Sequence, residues 1–188
     1  LGSAMPTLLL DSDIPVVVAS FGVAEDPRLG VIDHDDPAAM EEVVAHLYGL
    51  GHRRLAFVSH HLREQSGERR RLGFEKALAK RGLVAVGLGE GATAVAAHND
   101  MLAISTIDRL ERQGLRVPDD ISVVGFDDIP LAAHRRMNLT TVHSDAVEMG
   151  SRAVALVLEA SRGSRHVAHR EILGARLVVR GTTGRAPN

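Results

Sequence analysis

Continuous runs of apolar, mostly β-branched or small residues recur along the chain. Apolar neighbours without alternation are typical of strands that are covered on both faces of a sheet. The pattern therefore predicts four strands, over residues 14–20, 54–59, 92–98 and 121–126.

Between and after these runs, apolar residues recur three or four positions apart, which predicts helices. The first begins at Asp36, a candidate N-cap, and ends before Gly51. The third has Asp100 as its candidate cap and ends before Gly114. The predicted helices cover residues 36–50, 67–81, 100–113 and 145–163. This alternation of strands and helices predicts an α/β fold with a doubly wound parallel sheet.

One stretch interrupts the alternation. Between Gly82 and Ala92 the sequence GLVAVGLGEGA is too short and too rich in glycine for the strand and helix that the pattern calls for. Two explanations stay open, a natural deletion and residues that the sequence omits.

Composition narrows the class of protein. The chain has 188 residues, enough for one large domain or two small lobes, and its 45% hydrophobic and 3% aromatic content indicates an aliphatic core. With 22 basic and 24 acidic residues the net charge is −2, so we do not expect this segment to bind DNA by itself. No apolar run reaches the roughly 18 residues that span a bilayer, and no signal peptide is visible. We expect a soluble, cytoplasmic protein that has no membrane partner.

Metal and catalytic motifs are missing from the sequence. There is no cysteine, and the 10 histidines form no HExxH motif, so we expect no metal site and no cofactor. The chain has neither a G-x-S-x-G elbow nor a P-loop. Asp127 and His134 could in principle form an acid/base pair, but without a catalytic motif we expect no enzyme activity.

Polar residues follow three of the predicted strands. Because ligands bind beyond the carboxyl ends of parallel strands, these residues are candidates for one shared site. An ionised carboxylate there accepts hydrogen bonds worth roughly 1.5 to 3 kcal/mol each. The candidates are Ser59, His60 and His61 after the second strand, Asn99 and Asp100 after the third, and Asp127 and Asp128 after the fourth.

Simpler roles for these residues stay open. Asp100 serves equally well as a helix N-cap alone. Asp127 and Asp128 suit a turn before Pro130, since aspartate favours turns. The two histidines are more typical of a solvated loop.

Five blocks of sequence resemble one protein family. They are GLGHRRLAFVS, HNDMLAISTIDRL, RVPDDISVVGFDDIPLA, LTTVHSDAVEMGSRAV and LVVRGTT. Together they resemble the ligand-sensing domain of the lactose/galactose repressor (LacI/GalR) family of bacterial transcription regulators. The resemblance runs from about Ile14 to Thr183, in the order of the family and mostly at its spacing.

The resemblance implies a periplasmic-binding-protein-like fold of two α/β lobes joined by three crossovers, with an effector in the cleft between them. It assigns residues 1–34 and 144–165 to an N-terminal lobe, and residues 35–143 and 166–184 to a C-terminal lobe. The N-terminal lobe is incomplete in this sequence, roughly one β-α unit near Gly82 is missing, and the DNA-binding headpiece is absent. We expect the full protein to contain these parts, because fewer than about 60 residues make an unstable lobe.

The resemblance also implies roles for individual residues. Asp100, in the Asn99-Asp100 block, matches a residue that hydrogen-bonds the effector. Arg70 matches an arginine that reaches a sugar or a base from the start of a helix, with Arg71 as a rival by one position. Ser20 stands where several members carry an aspartate that faces the ligand, and Phe21 beside it is a candidate to stack on a ring.

The function implied is that of an effector sensor in a homodimeric transcription regulator. A small polar effector, either a sugar, a sugar acid or a purine, is expected to contact Asp100, Arg70, Asp127, Ser20, Phe21 and Asn99. Its binding would change how the headpieces bind operator DNA. The alternative, which shares the fold, is a periplasmic sugar-binding protein of a transporter.

Overall fold

The computed structural model describes residues 14–19, 28–59, 65–162, 167 and 169–187. The elements of secondary structure in this part of the chain are, in order, β1 (Val17–Ala19), β2 (Gly30–His34), α1 (Asp36–Gly49), β3 (Leu55–Val58), α2 (Gln65–Ala79), β4 (Ala94–Ala97), α3 (Asp100–Arg112), β5 (Ser122–Asp127), β6 (Thr140–His143), α4 (Ala146–Ala160), β7 (Arg170–Leu173) and β8 (Arg176–Val178).

The chain divides into two compact units, each built from separate segments. The first contains the described residues up to Asp35 and those of Asp145–Gly174. The second contains Asp36–Ser144 and the described residues from Ala175 onward. The chain therefore passes between the units at three places.

The first unit has a small parallel sheet in the order β1-β2-β7. Helix α4 packs on β1 and β2. The buried residues Leu29 and Val31 form its core, together with the partly buried Val16 and Val18.

The second unit has a five-stranded sheet in the order β3-β4-β5-β6-β8. The first four strands are parallel, and β8 runs antiparallel to β6. The central strands β4 and β5 are buried on both faces, as their continuous apolar runs predict. The predicted α/β fold with parallel sheets is confirmed.

Successive residues of each central strand in the second unit point to opposite faces of the sheet. In β4, Ala94 and Ala96 pack against α1 and α2, whereas Val95 and Ala97 pack against α3. The α1 and α2 side buries the largest side chains, among them Met40, Leu47, Phe74, Leu78 and Phe126. The sheet is thus covered by two helices on one face and by one helix on the other.

All four predicted strands are present, and all four predicted helices appear with shifted ends. Glycine residues end α1 and α3 as predicted, since Gly51 and Gly114 adopt φ values of 96° and 84°. The prediction missed β2, β6, β7 and β8. In β6, the buried Thr140 and Thr141 are β-branched but polar, so they did not stand out as an apolar run.

Residues 83–92 form neither a helix nor a strand. Strand β3 is the first in the strand order and so forms an edge of the second unit's sheet. Residues 83–92 lie along this edge, where Val86 N donates to Leu55 O at 3.0 Å.

The unit boundaries differ most from the predicted lobes at the segment that contains β7, and the other two boundaries lie one residue later than predicted, after Asp35 and Ser144. Residues 166–184 were assigned as a block to the C-terminal lobe, but β7 pairs in parallel with β2 and belongs to the first unit. Only the segment from Ala175 onward, which includes β8, lies with the second unit. Among the described residues no helix is both long and apolar enough to cross a membrane.

Candidate functional site

The side chain of Arg70 lies at the centre of the polar residues beyond the carboxyl ends of β4 and β5. It projects from the first half of α2 and is only 6% exposed. Its Nε donates to Asp36 Oδ1 at 3.2 Å, and one terminal nitrogen donates to the His98 carbonyl at 2.6 Å. The same nitrogen lies 3.5 Å from Asp127 Oδ1. The guanidinium stacks on the Phe126 ring, 3.5 Å from its centre.

Close packing of α1 and α2 brings Arg70 to this position. A Cβ added at Gly73 would lie 3.0 Å from Pro37 Cα, so the absence of a side chain there favours the close approach of the two helices. At this contact Arg69 also reaches Asp36, and its Nε and one terminal nitrogen donate to Oδ2 at 3.0 and 2.6 Å. Asp36, predicted as an N-cap, uses its carboxylate to bind two arginines of the neighbouring helix.

The rival residue Arg71 points elsewhere. It pairs with Glu68, at 2.7 Å, and with Glu75, both on its own helix. These are pairs of partly exposed side chains on the surface of α2. Of the two arginines, the structure therefore places Arg70 and not Arg71 beside the strand ends.

Asp127 is the last residue of β5 and has a positive φ of 109°. Its side chain is 38% exposed, so the carboxylate is accessible while it contacts Arg70. Burial raises the pKa of Asp127 to about 6, against the opposing effect of Arg70, and the carboxylates of Asp100 and Asp36 raise it further. Near neutral pH this group is mostly an ionised acceptor, and it protonates under mildly acidic conditions.

Asp128, the next residue, binds groups within the fold. Its Oδ1 accepts from Arg180 at 2.6 Å, and its Oδ2 lies 3.0 Å from His143 Nδ1. Burial alone would raise the pKa of Asp128, but hydrogen bonds from Arg180 and His143 outweigh it and hold the pKa below its usual range. Both aspartates have φ values above zero, 109° and 54°. The turn predicted for them lies one residue later, where Ala132 N donates to Ile129 O at 2.8 Å, so neither aspartate belongs to it.

Asp100 has its carboxylate inside the protein, and the residue is fully buried. Its Oδ1 accepts from Thr141 Oγ1 at 2.5 Å and its Oδ2 from Ile129 N at 2.9 Å. Burial raises the pKa of Asp100, and these two hydrogen bonds oppose that rise. A Cβ at Gly125 would collide with Oδ1, so the glycine in β5 makes room for this carboxylate.

The N-cap of α3 is Asn99, and the prediction that Asp100 caps this helix was wrong. Asn99 has extended backbone angles, and its Oδ1 accepts from Leu102 N at 2.8 Å. The side-chain oxygen of Asn99 thus accepts from a free N–H in the first turn of α3, and the carboxylate of Asp100 turns inward. Asn99 is partly buried, and its Nδ2 group has no hydrogen-bond partner among the described residues.

Further polar groups follow β3 and β4. His98 is buried and its Nε2 lies 3.5 Å from Ser66 Oγ. The hydroxyl of Ser59 is buried and has no hydrogen-bond partner among the residues that the structure describes. The predicted candidates Ser20, Phe21, His60 and His61 lie outside the described residues.

The structure therefore brings Arg70 and Asp127 into contact and places Asn99 next to the carbonyl that Arg70 binds. It turns Asp100 away from this group. Sequence reasoning missed Asp36 and Phe126 as partners of Arg70. In the described ranges no cluster of three metal-binding side chains is found. Two surface hollows of about 480 and 470 Å³ lie along α3, and neither is lined by Arg70 or Asp127.

Two α/β units assembled from interleaved segments, with polar residues at the carboxyl ends of a parallel sheet, are typical of two-lobed ligand-binding domains. Residues 44–183 match the family model for the periplasmic binding protein-like domain. The chain belongs to this family.

The relatives confirm the resemblance to LacI-type regulators. The chain is 35% identical to the HTH-type transcriptional regulator reg1 of Streptomyces lividans, with 99% of this chain and 58% of that protein covered. A crystal structure of a LacI transcriptional regulator from a Rhodococcus species superimposes with a TM-score of 0.88 at 33% identity, covering 100% of this chain and 76% of the other.

A second similar structure is a lac repressor dimer bound to operator and the anti-inducer ONPF. It has a TM-score of 0.83 and 26% identity, with 96% of this chain and 60% of that chain covered. The chain thus spans less than two thirds of the length of relatives such as reg1.

Proposed function

We propose that this chain is the effector-sensing domain of a cytoplasmic bacterial transcription regulator. In this proposal a small polar metabolite binds at the carboxyl ends of β4 and β5 and changes how a homodimer binds operator DNA through a separate headpiece. The observation that carries the proposal is the contact of 3.5 Å between Arg70 and Asp127 at these strand ends. That the relatives are transcription regulators supports it over the periplasmic sugar-binding alternative and over an enzyme.

The three residues facing the site have complementary hydrogen-bonding roles. The carboxylate of Asp127 accepts from hydroxyl or N–H groups, and the Nδ2 of Asn99 donates. Arg70 is held in one orientation by Asp36, His98 and the Phe126 ring, so little side-chain entropy is lost when it meets a ligand. Ser20 and Phe21 belong to the proposal as further ligand contacts.

In this proposal Asp100 supports the site without contacting the ligand. Its two hydrogen bonds connect the start of α3 to β6 and to the loop after β5. They hold Asn99 and Asp127 at a fixed separation. The predicted ligand contact by Asp100 is therefore replaced with a supporting role.

Sensing requires a ligand that prefers one conformational state. To move a regulator from 1:99 to 99:1 occupancy, the preference must reach about 5.5 kcal/mol. Two or three hydrogen bonds to charged groups, at roughly 1.5 to 3 kcal/mol each, supply an energy of that size.

A ligand screen with matched variants tests the proposal. Sugars, sugar acids and nucleobases are screened by thermal shift, where a binding compound raises the melting temperature. Asp127→Asn should weaken binding of the hit by at least about tenfold, since one charged hydrogen bond is lost. Asp119→Asn makes the same chemical change at an exposed position before β5, and it should leave binding unchanged. Equal affinities in both variants, or no hit in the screen, would refute the site.

A further inference from the structure

We infer that Asp36 sets the charge of the ligand site, so that the site binds uncharged, hydroxyl-bearing ligands and rejects their carboxylate counterparts. The inference rests on the proposed function, and it narrows the effector class that the sequence leaves open. Its basis is how the arginines and carboxylates are paired around Arg70.

Asp36 is almost completely buried, with 1% of its side chain exposed. One of its oxygens accepts from Arg70 and the other accepts twice from Arg69. Both oxygens are therefore used by arginines, and the carboxylate itself faces no ligand. Its effect on a ligand must act through Arg70.

The charged side chains around Arg70 include no excess of positive charge. Arg69 and Arg70 contribute two positive charges, Asp36 and Asp127 contribute two negative charges, and the carboxylate of Asp100 also acts on Asp127. The neighbouring Arg180 is likewise paired with Asp128, at 2.6 Å. Among the described side chains at these strand ends, no arginine is left to neutralise an incoming anion.

The accessible member of the group is negative. The side chain of Asp127 is 38% exposed, whereas that of Arg70 is 6% exposed. A ligand that approaches Arg70 therefore meets the carboxylate of Asp127 at the same place. Hydroxyl groups donate to such a carboxylate, but a ligand carboxylate is repelled by it and finds Arg70 already neutralised.

Removal of the charge at Asp36 should reverse this preference. Asp36→Asn keeps the size and one acceptor oxygen but removes the negative charge that pairs with both arginines. Asp36→Glu keeps the charge and serves as the conservative control. Arg69→Gln makes the opposite change, because it removes a positive charge. The Arg69 side chain is 30% exposed, so this variant requires no substitution in the interior.

The experiment compares matched pairs of neutral sugar and sugar acid as probes. These are D-glucose with D-glucuronate, D-galactose with D-galacturonate, and D-mannose with D-mannuronate, in which both members keep the same ring. Isothermal titration gives the ratio of the two dissociation constants in each pair, and circular dichroism verifies the fold of each variant. For the wild type, we expect the neutral member of at least one pair to bind about tenfold or more tightly than its acid.

Asp36→Asn should lower this ratio by about tenfold, and Arg69→Gln should raise it severalfold, while Asp36→Glu leaves it within about twofold. If Asp36→Asn does not fold, Arg69→Gln decides the matter, and an unchanged ratio there overturns the inference. Tighter binding of the acid by the wild type also overturns it.

The failures of the two proposals can be told apart. If a neutral sugar binds and Asp127→Asn weakens it, but Asp36→Asn leaves the ratio unchanged, only the inference fails. If no member of any pair binds, the inference and the sugar form of the proposed function fail together.

Discussion

The carboxyl ends of β4 and β5 both carry an aspartate, and the two side chains have opposite surroundings. Asp127, the last residue of β5, is 38% exposed and contacts Arg70. Asp100, three residues beyond β4, is fully buried and has both oxygens occupied by the fold. The same residue type near two neighbouring strand ends thus has an accessible carboxylate in one case and a buried one in the other. A position near a strand end makes a residue a candidate for ligand binding. Whether its side chain turns outward or inward depends on the space left by neighbouring residues, such as Gly125 beside Asp100.

The strongest test of this comparison removes the space that Asp100 occupies. Gly125→Ala would place a Cβ against Asp100 Oδ1 and 3.0 Å from Leu139 Cδ2. We expect a loss of unfolding free energy of about 3 kcal/mol or more, measured by urea denaturation. Gly150→Ala in α4 meets nothing within 4 Å and should be neutral or slightly stabilising. A Gly125→Ala protein as stable as the wild type would mean that the Asp100 side chain can adopt another conformation.

Replacing the two aspartates themselves is the next test. Asp100→Ala leaves the buried Thr141 hydroxyl and the N–H of Ile129 without a partner, so we expect a loss of about 2–4 kcal/mol. Asp127→Ala should cost less than about 1 kcal/mol, since that side chain is accessible. Urea midpoints measured side by side give both values. Similar losses in the two variants would remove the distinction between a supporting and a ligand-facing carboxylate.

Titration sharpens the comparison for the adjacent pair at the end of β5. Because the pKa of Asp127 is raised to about 6, its ionisation opposes folding as the pH rises from about 4 to 6. The stability of Asp127→Asn relative to wild type should therefore increase over that range and then level off. The pKa of Asp128 is lowered, so its stabilising effect is present above about pH 4 and is lost as the pH falls.

Thermal unfolding of both asparagine variants, measured from about pH 3 to about pH 8, gives the two stability profiles across both transitions. Profiles of the same sign for Asp127→Asn and Asp128→Asn would contradict the assigned contacts.

The smallest expected effect is that of Arg71→Gln, for which the neighbouring Arg70→Gln serves as the contrast. Arg71→Gln removes pairs with Glu68 and Glu75 on the surface of α2 and should cost less than about 1 kcal/mol, with ligand affinity unchanged. Arg70→Gln removes a buried cation from two carboxylates and should reduce both stability and affinity. Calorimetric titration of the same ligand against both variants distinguishes them. An equal loss of affinity would place Arg71 at the site.

Much of the second unit's sheet was predictable because its central strands are continuous apolar runs. Strands with polar or charged residues were missed, such as β6 with Thr140 and Thr141. The location of β7 was also missed, since only its pairing with β2 assigns it to the first unit. Pairing between distant segments leaves no local pattern in the sequence.

The candidate site was predictable to the extent that it depends on strand ends. The rule that ligands bind beyond the carboxyl ends of parallel strands led to Asp127 and Asn99. It could not show that Asp100 turns inward, because that depends on the space left by Gly125 in a neighbouring strand. For Asp36 the sequence predicted only an N-cap. Its arginine partners, Arg69 and Arg70, lie more than thirty positions away along the chain, and no local pattern indicates such a contact.

The position of Asp36 has a mechanical consequence. It is the first residue of the second unit, directly after the chain leaves the first at Asp35. Two arginines of α2 bind its carboxylate, one on each oxygen. The peptide that enters the second unit and the arginine of the proposed ligand site are therefore joined through one buried carboxylate, so under the proposed function any movement of Arg70 would act directly on this connection.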